Sequence, residues 1–240
     1  MINLYLGDCL EIMPTISDNS VDMILCDLPY GRTHNRWDSI LPFDNLWTNY
    51  ERIIKGNGAI VLFADGLFMA ELMLSNKKLW RYNLIWDKVL TSGFLNANRQ
   101  PLRQHEELVV FYKKQPIYNP QKIKGNKNHS KGVIKTTANN NYNKFDFIDN
   151  NEKLGDMKHP KSILTFSKPH PSVMLHPTEK PIELLEWLIR TYTNEGNLIL
   201  DNCMGSGSTG VACKNLNRSF IGIEKDEKYF QIAKERIENS

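Results

Sequence analysis

Near its carboxyl end the chain runs Leu198-Ile199-Leu200-Asp201-Asn202-Cys203-Met204-Gly205-Ser206-Gly207-Ser208-Thr209-Gly210, from a short apolar stretch through a carboxylate into closely spaced glycines. Such a run predicts a strand, then a turn whose glycines let a ligand approach the backbone, then a helix. Only 30 residues follow Gly210. They suffice for one helix, one strand and a last helix, so the remaining strands of this sheet must come from the amino-terminal half. The sheet is therefore circularly permuted, with its usual first strand late in the sequence.

The amino-terminal half supplies candidates. Residues 3–7, 21–26, 59–64, 82–86 and 108–112 are short β-rich runs. Between them, residues 43–54 and 67–74 carry apolar side chains at helical spacing, with the Gly56 and Gly58 pair closing the first helix. Pro181, a favoured first-turn residue, opens a helix through about Tyr192 with Ile182, Leu184, Leu185, Leu188 and Ile189 along one side, and Gly196 ends it. A strand at 198–200, a helix at 209–215, a strand at 219–223 and a helix from Glu227 complete the pattern. This alternation predicts an α/β fold, a mostly parallel sheet with helices on both faces.

The pattern fails between Lys113 and about His170, and there composition matters. Residues 113–168 hold 12 Lys and no Arg against four acids (Asp146, Asp149, Glu152, Asp156), a net +8, so the other 184 residues carry −5 of the chain's +3. Asn dominates 139–143, and Tyr118, Tyr142, Phe145, Phe147 and Phe166 are interspersed. A basic stretch in an otherwise acidic chain suggests an inserted lobe or loops that meet a polyanion. The remaining composition, 41% hydrophobic and 24% charged, is that of a soluble globular protein with one core. The longest apolar runs are strand-sized, which excludes a membrane span and a secretory signal. Cys9, Cys26, Cys203 and Cys213 have no close spacing and read as reduced thiols in a cytoplasmic protein. The six His are scattered, so no metal site is expected.

Two stretches carry chemistry. Gly205, Gly207 and Gly210 satisfy a G-x-G-x-x-G pattern, and Glu224 ends the next strand, where an acid would accept hydrogen bonds from a ribose diol. Read literally, this is a nicotinamide-dependent oxidoreductase. The late position of the turn fits an adenosyl cofactor without pyrophosphate better, with Asp201 and the turn facing an amino-acid tail. The second stretch is Val21-Asp22-Met23-Ile24-Leu25-Cys26 running into Asp27-Leu28-Pro29-Tyr30-Gly31. It fixes a carboxylate, a rigid proline and an aromatic at a strand's carboxyl end, the edge where open α/β sheets bind ligands.

Asp27-Leu28-Pro29-Tyr30 resembles the D-P-P-Y catalytic signature of DNA amino-methyltransferases, and the segment from Asp201 to Ser208 resembles their S-adenosyl-L-methionine turn. The order, catalytic tetrapeptide first and cofactor turn last with a basic segment between, is similar to the β-class of that family. Leu6-Gly7-Asp8-Cys9-Leu10, Asn19-Ser20-Val21-Asp22 and His176-Pro177-Thr178-Glu179-Lys180-Pro181 extend the likeness to nearly the whole chain. The resemblance implies a Rossmann-like methyltransferase fold with a seven-stranded sheet. It divides the chain into 1–112 (catalytic tetrapeptide), an inserted target-recognition region at 113–170, and 171–240 (cofactor turn). Asp27, Leu28, Pro29 and Tyr30 would be catalytic. Asp201, Gly205 and Gly207 would line the methionine part, and Asn202, Cys203 and Ser208 would also bind the cofactor. Glu224 would hold the ribose, Asp8 with Cys9 would flank the adenine, and Thr178 and Lys180 would contact the cofactor's carboxylate end.

Leu28 stands where the family has its first proline, and should contribute chiefly its backbone carbonyl. The implied reaction is methyl transfer to the N6 amino group of adenine in DNA, most simply double-stranded. An acid rather than Ser at Asp27 favours adenine over the N4 of cytosine. The target base must be flipped out at a cost of a few kcal/mol; stacking on Tyr30, worth about 1–3 kcal/mol, offsets much of it. A homodimer and a cognate restriction enzyme remain open as partners, and no membrane is expected. Besides cytosine-N4 transfer and the oxidoreductase, a DNA-binding protein with a vestigial cofactor fold is the third alternative.

Overall fold

The computed structural model describes residues 1–31, 40–126, 156–168 and 179–240. Thr178 with the preceding His176-Pro177, the asparagines at 139–143, and Tyr142, Phe145 and Phe147 lie outside them. In chain order the elements are β1 (Ile2–Leu6), α1 (Cys9–Ile12), β2 (Val21–Asp27), α2 (Phe43–Ile53), β3 (Ile54–Ala64), α3 (Gly66–Ser75), β4 (Trp80–Ser92), β5 (Arg103–Phe111), β6 (Ile123–Lys124), β7 (Met157–Lys158), β8 (Ile163–Thr165), α4 (Ile182–Tyr192), β9 (Leu198–Asp201), α5 (Ser208–Asn215), β10 (Ser219–Glu224) and α6 (Glu227–Glu238). The chain divides into two compact units, Met1–Asn119 with Lys161–Ser240, and Pro120–Pro160. In the smaller unit the described structure is a two-stranded antiparallel ribbon, β6 against β7.

The larger unit is built on one sheet of order β1-β10-β9-β2-β3-β5-β4-β8. All of its pairings are parallel except those of β5, which runs against both β3 and β4. The late strands β9 and β10 lie between β1 and β2, as the permutation requires. The sheet has eight strands rather than seven. The eighth, β8, comes from the lysine-rich stretch, where Ile163-Leu164-Thr165 adds to the open edge of β4 and buries Leu164. Three residues are too few for a periodicity to announce themselves in sequence.

Strand residues alternate between two cores. On β3, Ile60, Leu62 and Ala64 pack on the face of α2 and α3, whereas Ala59, Val61 and Phe63 pack on the face of α4, α5 and α6. Helix α2 turns Leu46, Trp47, Tyr50 and Ile53 inward, the one-sided spacing seen in its sequence. On α4 the inward residues are Leu184, Leu185, Leu188, Ile189 and Tyr192; full burial of Leu184 and Leu188 contributes roughly 2 kcal/mol each. Gly56 and Gly58 do not close α2. That helix ends at Ile53 and passes directly into β3, with both glycines inside the strand. A Cβ on Gly58 would sit 2.8 Å from the Asp22 carbonyl, at the register shift between Val21 and Met23. The glycine permits this irregular strand pairing. Pro181 likewise stands just before its helix, as the capping residue of α4.

Candidate active site

Strand β9 pairs with β10 on one side and β2 on the other, and the chain leaves this point in opposite directions along the sheet. In an open α/β sheet the crevice at such a switch point is where ligands bind. Asp27 ends β2, Asp201 ends β9 and Glu224 ends β10, and all three line one cleft. Asp8, Cys9, Leu28, Pro29, Tyr30, Lys180, Asn202, Cys203, Gly205 and Ser208 line it as well. Of the residues expected at the site, only Thr178 lies outside the described residues.

At the β2 end, Asp27 is held on both carboxylate oxygens. The Tyr30 hydroxyl donates to Oδ1 at 2.9 Å and the Lys180 ammonium donates to Oδ2 at 2.6 Å. Two donors on two oxygens is the arrangement of an ionised acceptor. Burial raises the Asp27 carboxyl, Lys180 opposes that rise, and Glu106 adds to it. Lys180, expected at the cofactor's carboxylate end, thus makes one ion pair with Asp27 and another with Glu106 Oε2 at 3.4 Å. Its ammonium also lies 4.9 Å from the centre of the Phe63 ring. Burial acts to lower the lysine, but Asp27 and Glu106 outweigh it and hold the ammonium above its ordinary range. Tyr30 stacks on Phe68 at 4.8 Å between ring centres, so one of its faces is already covered.

At the β9–β10 end the anions have neutral partners. Asp201 accepts from the Cys203 backbone N–H at 3.1 Å and the Thr209 hydroxyl at 2.7 Å. Glu224 accepts from the backbone N–H of Gly205 and of Asp226, each at 2.9 Å. Among the described residues no cation pairs with either. Burial accordingly raises both, Asp201 to about 6. Gly207 adopts φ +80°, and a Cβ there would meet that of Ala233 at 2.9 Å; Gly210 is pressed still more closely by Ile237. These glycines let the turn settle against α6.

Other expected residues serve the frame around the cleft. Asp8 caps α1 through the Leu10 N–H at 2.8 Å. Asn202 turns its amide inward, accepting from Tyr50 at 2.5 Å and donating to the sulfurs of Cys9 and Cys203. All four cysteines are free, and among the described residues no group of three or more His, Cys, Asp or Glu could hold a metal ion. Among them, too, no helix is long and apolar enough to cross a membrane.

Two features escaped the sequence reading. Glu106 enters the cleft because antiparallel β5 brings its first residues to the edge where the parallel strands end, Glu107 lying opposite Ala64. Its available signal was a pair of acids opening an apolar run. Arg236, on α6, donates to the Ser206 carbonyl, to the hydroxyls of Ser206 and Ser208, and to Glu179. It ties the glycine turn to the segment carrying Lys180, and in sequence it is one more charge on a polar helix.

Residues 21–235 match the model of the family described as DNA methylase. The Type II methyltransferase M.HpaI of Haemophilus parainfluenzae is 27% identical over 98% of this chain and 74% of its own length. The Type II methyltransferase M2.MboI of Moraxella bovis is also 27% identical, over 98% of this chain and 86% of its own. The crystal structure of the M1.HpyAVI-SAM complex superposes with a TM-score of 0.66 at 26% identity, covering 98% of this chain and all of that one. PvuII DNA methyltransferase, titled cytosine-N4-specific, superposes at 0.70 with 14% identity over 98% of this chain and 86% of its own, a likeness of fold.

Proposed function

The chain belongs to the DNA methylase family, and from that premise we propose that it transfers a methyl group from S-adenosyl-L-methionine to the N6 amino group of a flipped-out adenine in DNA. The observation that carries this reading is Asp27, half-buried at the end of β2 and opening on the same cleft as Asp201 and Glu224.

The residues of the β9–β10 end fit the cofactor. Two buried carboxylates that pair with no cation among the described residues suit a ligand that brings a sulfonium and an ammonium, and the lone pairs of Glu224 left by its two N–H donors suit a ribose diol. When bound, the cofactor supplies an electrophilic methyl group on sulfur. Asp201 with the turn from Asn202 to Ser208 would hold its amino-acid part and Glu224 its ribose, with Asp8 and Cys9 beside its adenine. Lys180 is assigned instead to Asp27.

The chain's own chemistry falls to Asp27 and Leu28. The exocyclic nitrogen of adenine is a poor nucleophile because its lone pair is delocalised into the ring, and its proton is too weakly acidic for a carboxylate to remove beforehand. Asp27 and the Leu28 carbonyl accept the two N–H bonds and draw the nitrogen toward tetrahedral geometry, which releases the lone pair. Pro29 fixes the backbone that aims both acceptors. The proton leaves toward Asp27 as the new N–C bond forms and the methyl–sulfur bond breaks. The lysines of 113–168 contact phosphates. The Type II relatives extend the proposal to a cognate restriction endonuclease.

Incubating the purified protein with DNA and methyl-labelled cofactor, then analysing the nucleosides by mass spectrometry, tests the proposal. Labelled N6-methyladenine is expected. Labelled N4-methylcytosine would overturn the choice of base, and DNA without label would overturn the reaction.

A further inference from the structure

Behind the catalytic carboxylate, Lys180 and Glu106 form a buried arrangement that the proposed reaction does not yet use. Lys180 Nζ stands between two carboxylates, 2.6 Å from Asp27 Oδ2 and 3.4 Å from Glu106 Oε2. Glu106 Oε1 is engaged by Lys88 Nζ at 3.2 Å. Glu106 Oε2, by contrast, is buried and accepts no hydrogen bond from any described residue. An ammonium thus sits hydrogen-bonded to one anion, within a small displacement of a second whose near oxygen is open. Adenine presents only two N–H bonds at its amino group, so Glu106 has no donor left to read on that group.

We infer that Glu106 is a positioning residue that offers Lys180 an alternative seat. When the target amine approaches Asp27, the ammonium shifts toward Glu106 Oε2, and Asp27 Oδ2 is freed to accept the N–H. No proton changes hands in this shift. Lys180 stays charged and exchanges one hydrogen bond for another, while Lys88 keeps Glu106 in place. The inference rests on the proposed methyl transfer and specifies how that site admits its substrate.

The test is Glu106→Gln, which keeps the shape and removes the charge. Because this leaves the Lys88 ammonium buried beside a neutral partner, Lys88→Met/Glu106→Gln is measured in parallel. Both are compared with wild type for cofactor affinity, for KM and kcat on DNA, and for the pH dependence of kcat. Asp27 interacts electrostatically with Lys180, Tyr30, Glu106, Cys26 and Asp201, while Glu106 interacts also with Lys88 and Lys168. Since the Glu106 charge raises the Asp27 carboxyl, its removal should carry the acid limb of kcat to lower pH.

The expected result is a kcat lower by about tenfold or more at unchanged cofactor affinity, with that shift of the acid limb, in at least one folded variant. A kcat within about twofold of wild type would overturn the inference, as would a loss of cofactor affinity that accounts for the whole effect. If neither variant folds, wild type is titrated with DNA carrying N6-dimethyladenine at the target, which offers no N–H. Binding as tight as that of unmodified DNA would overturn the inference, and weaker binding would support it. Wild type that methylates nothing would bring down the underlying reading, and this inference with it.

Discussion

The two ends of the cleft hold their carboxylates by opposite means. At the β2 end Asp27 is met by a charged donor, Lys180, itself shared with Glu106. At the β9–β10 end Asp201 and Glu224 are met by backbone N–H groups and a hydroxyl. A neutral donor orients an anion without cancelling its charge, so the second end retains negative potential for a cationic ligand. The first is already balanced and is suited to receive a neutral base. Substitutions on either side can separate these roles.

The largest effect should come from Asp27→Ala. Methyl transfer is expected to fall by about 10³-fold or more while cofactor affinity, set at the other end, stays within a few-fold of wild type; label transfer and calorimetric titration measure the two. Comparable loss at both ends would mean that the cleft does not divide as described. Next, Asp201→Asn should weaken cofactor binding by roughly 10–100-fold near neutral pH, the size of a lost charge-assisted contact.

The same residue predicts a pH dependence. Its carboxyl titrates at about 6 in the folded protein, above the ordinary carboxylate range. The stability it contributes is fully present below the unfolded value and is lost as pH rises through about 6. Thermal melts of the cofactor-free protein should therefore show a gain on acidification from pH 7 to 5 that is smaller in Asp201→Asn. Wild-type cofactor affinity should decline over the same interval, as the carboxylate takes up a proton. Affinity that stays flat would detach Asp201 from the cofactor.

Gly207→Ala should destabilise the fold by about 1–3 kcal/mol in chemical denaturation, since it places a Cβ at positive φ against Ala233. The smallest change is expected of Tyr30→Phe, which keeps the stack on Phe68 and removes the hydroxyl that donates to Asp27. A fall in kcat of about tenfold, the low end for a hydrogen bond to a charged group, would be read from initial rates. A drop as large as that of Asp27→Ala would make the hydroxyl, rather than Lys180, the principal partner of the carboxylate.

What the sequence disclosed follows from how the site is assembled. Asp27, Asp201 and Glu224 were legible because each ends a buried strand and is followed at once by its own turn, so element and chemistry share one contiguous stretch. The glycines were legible because their spacing is itself the signal. Glu106, Lys88 and Arg236 were not, because they reach the cleft or the residues that line it through a reversed strand, its hairpin partner and the last helix, relations set by tertiary pairing. Gly56 and Gly58 misled for a related reason. Taken alone they stop a helix, whereas in the sheet they admit an irregular pairing beside Asp22.

The direction of β5 carries one more consequence. Glu106 lies on the face of Leu108 and Val110, toward α4, and its neighbour Glu107 on the face of Val109 and Phe111. Slippage by a single position in the sense that brings His105 into the place of Glu106 would leave amino-acid content and net charge intact while removing the carboxylate seat beside Lys180. A one-residue deletion within β5 should therefore disable the enzyme more thoroughly than many bulkier changes, whereas lengthening of the exposed connection between β4 and β5 should be absorbed.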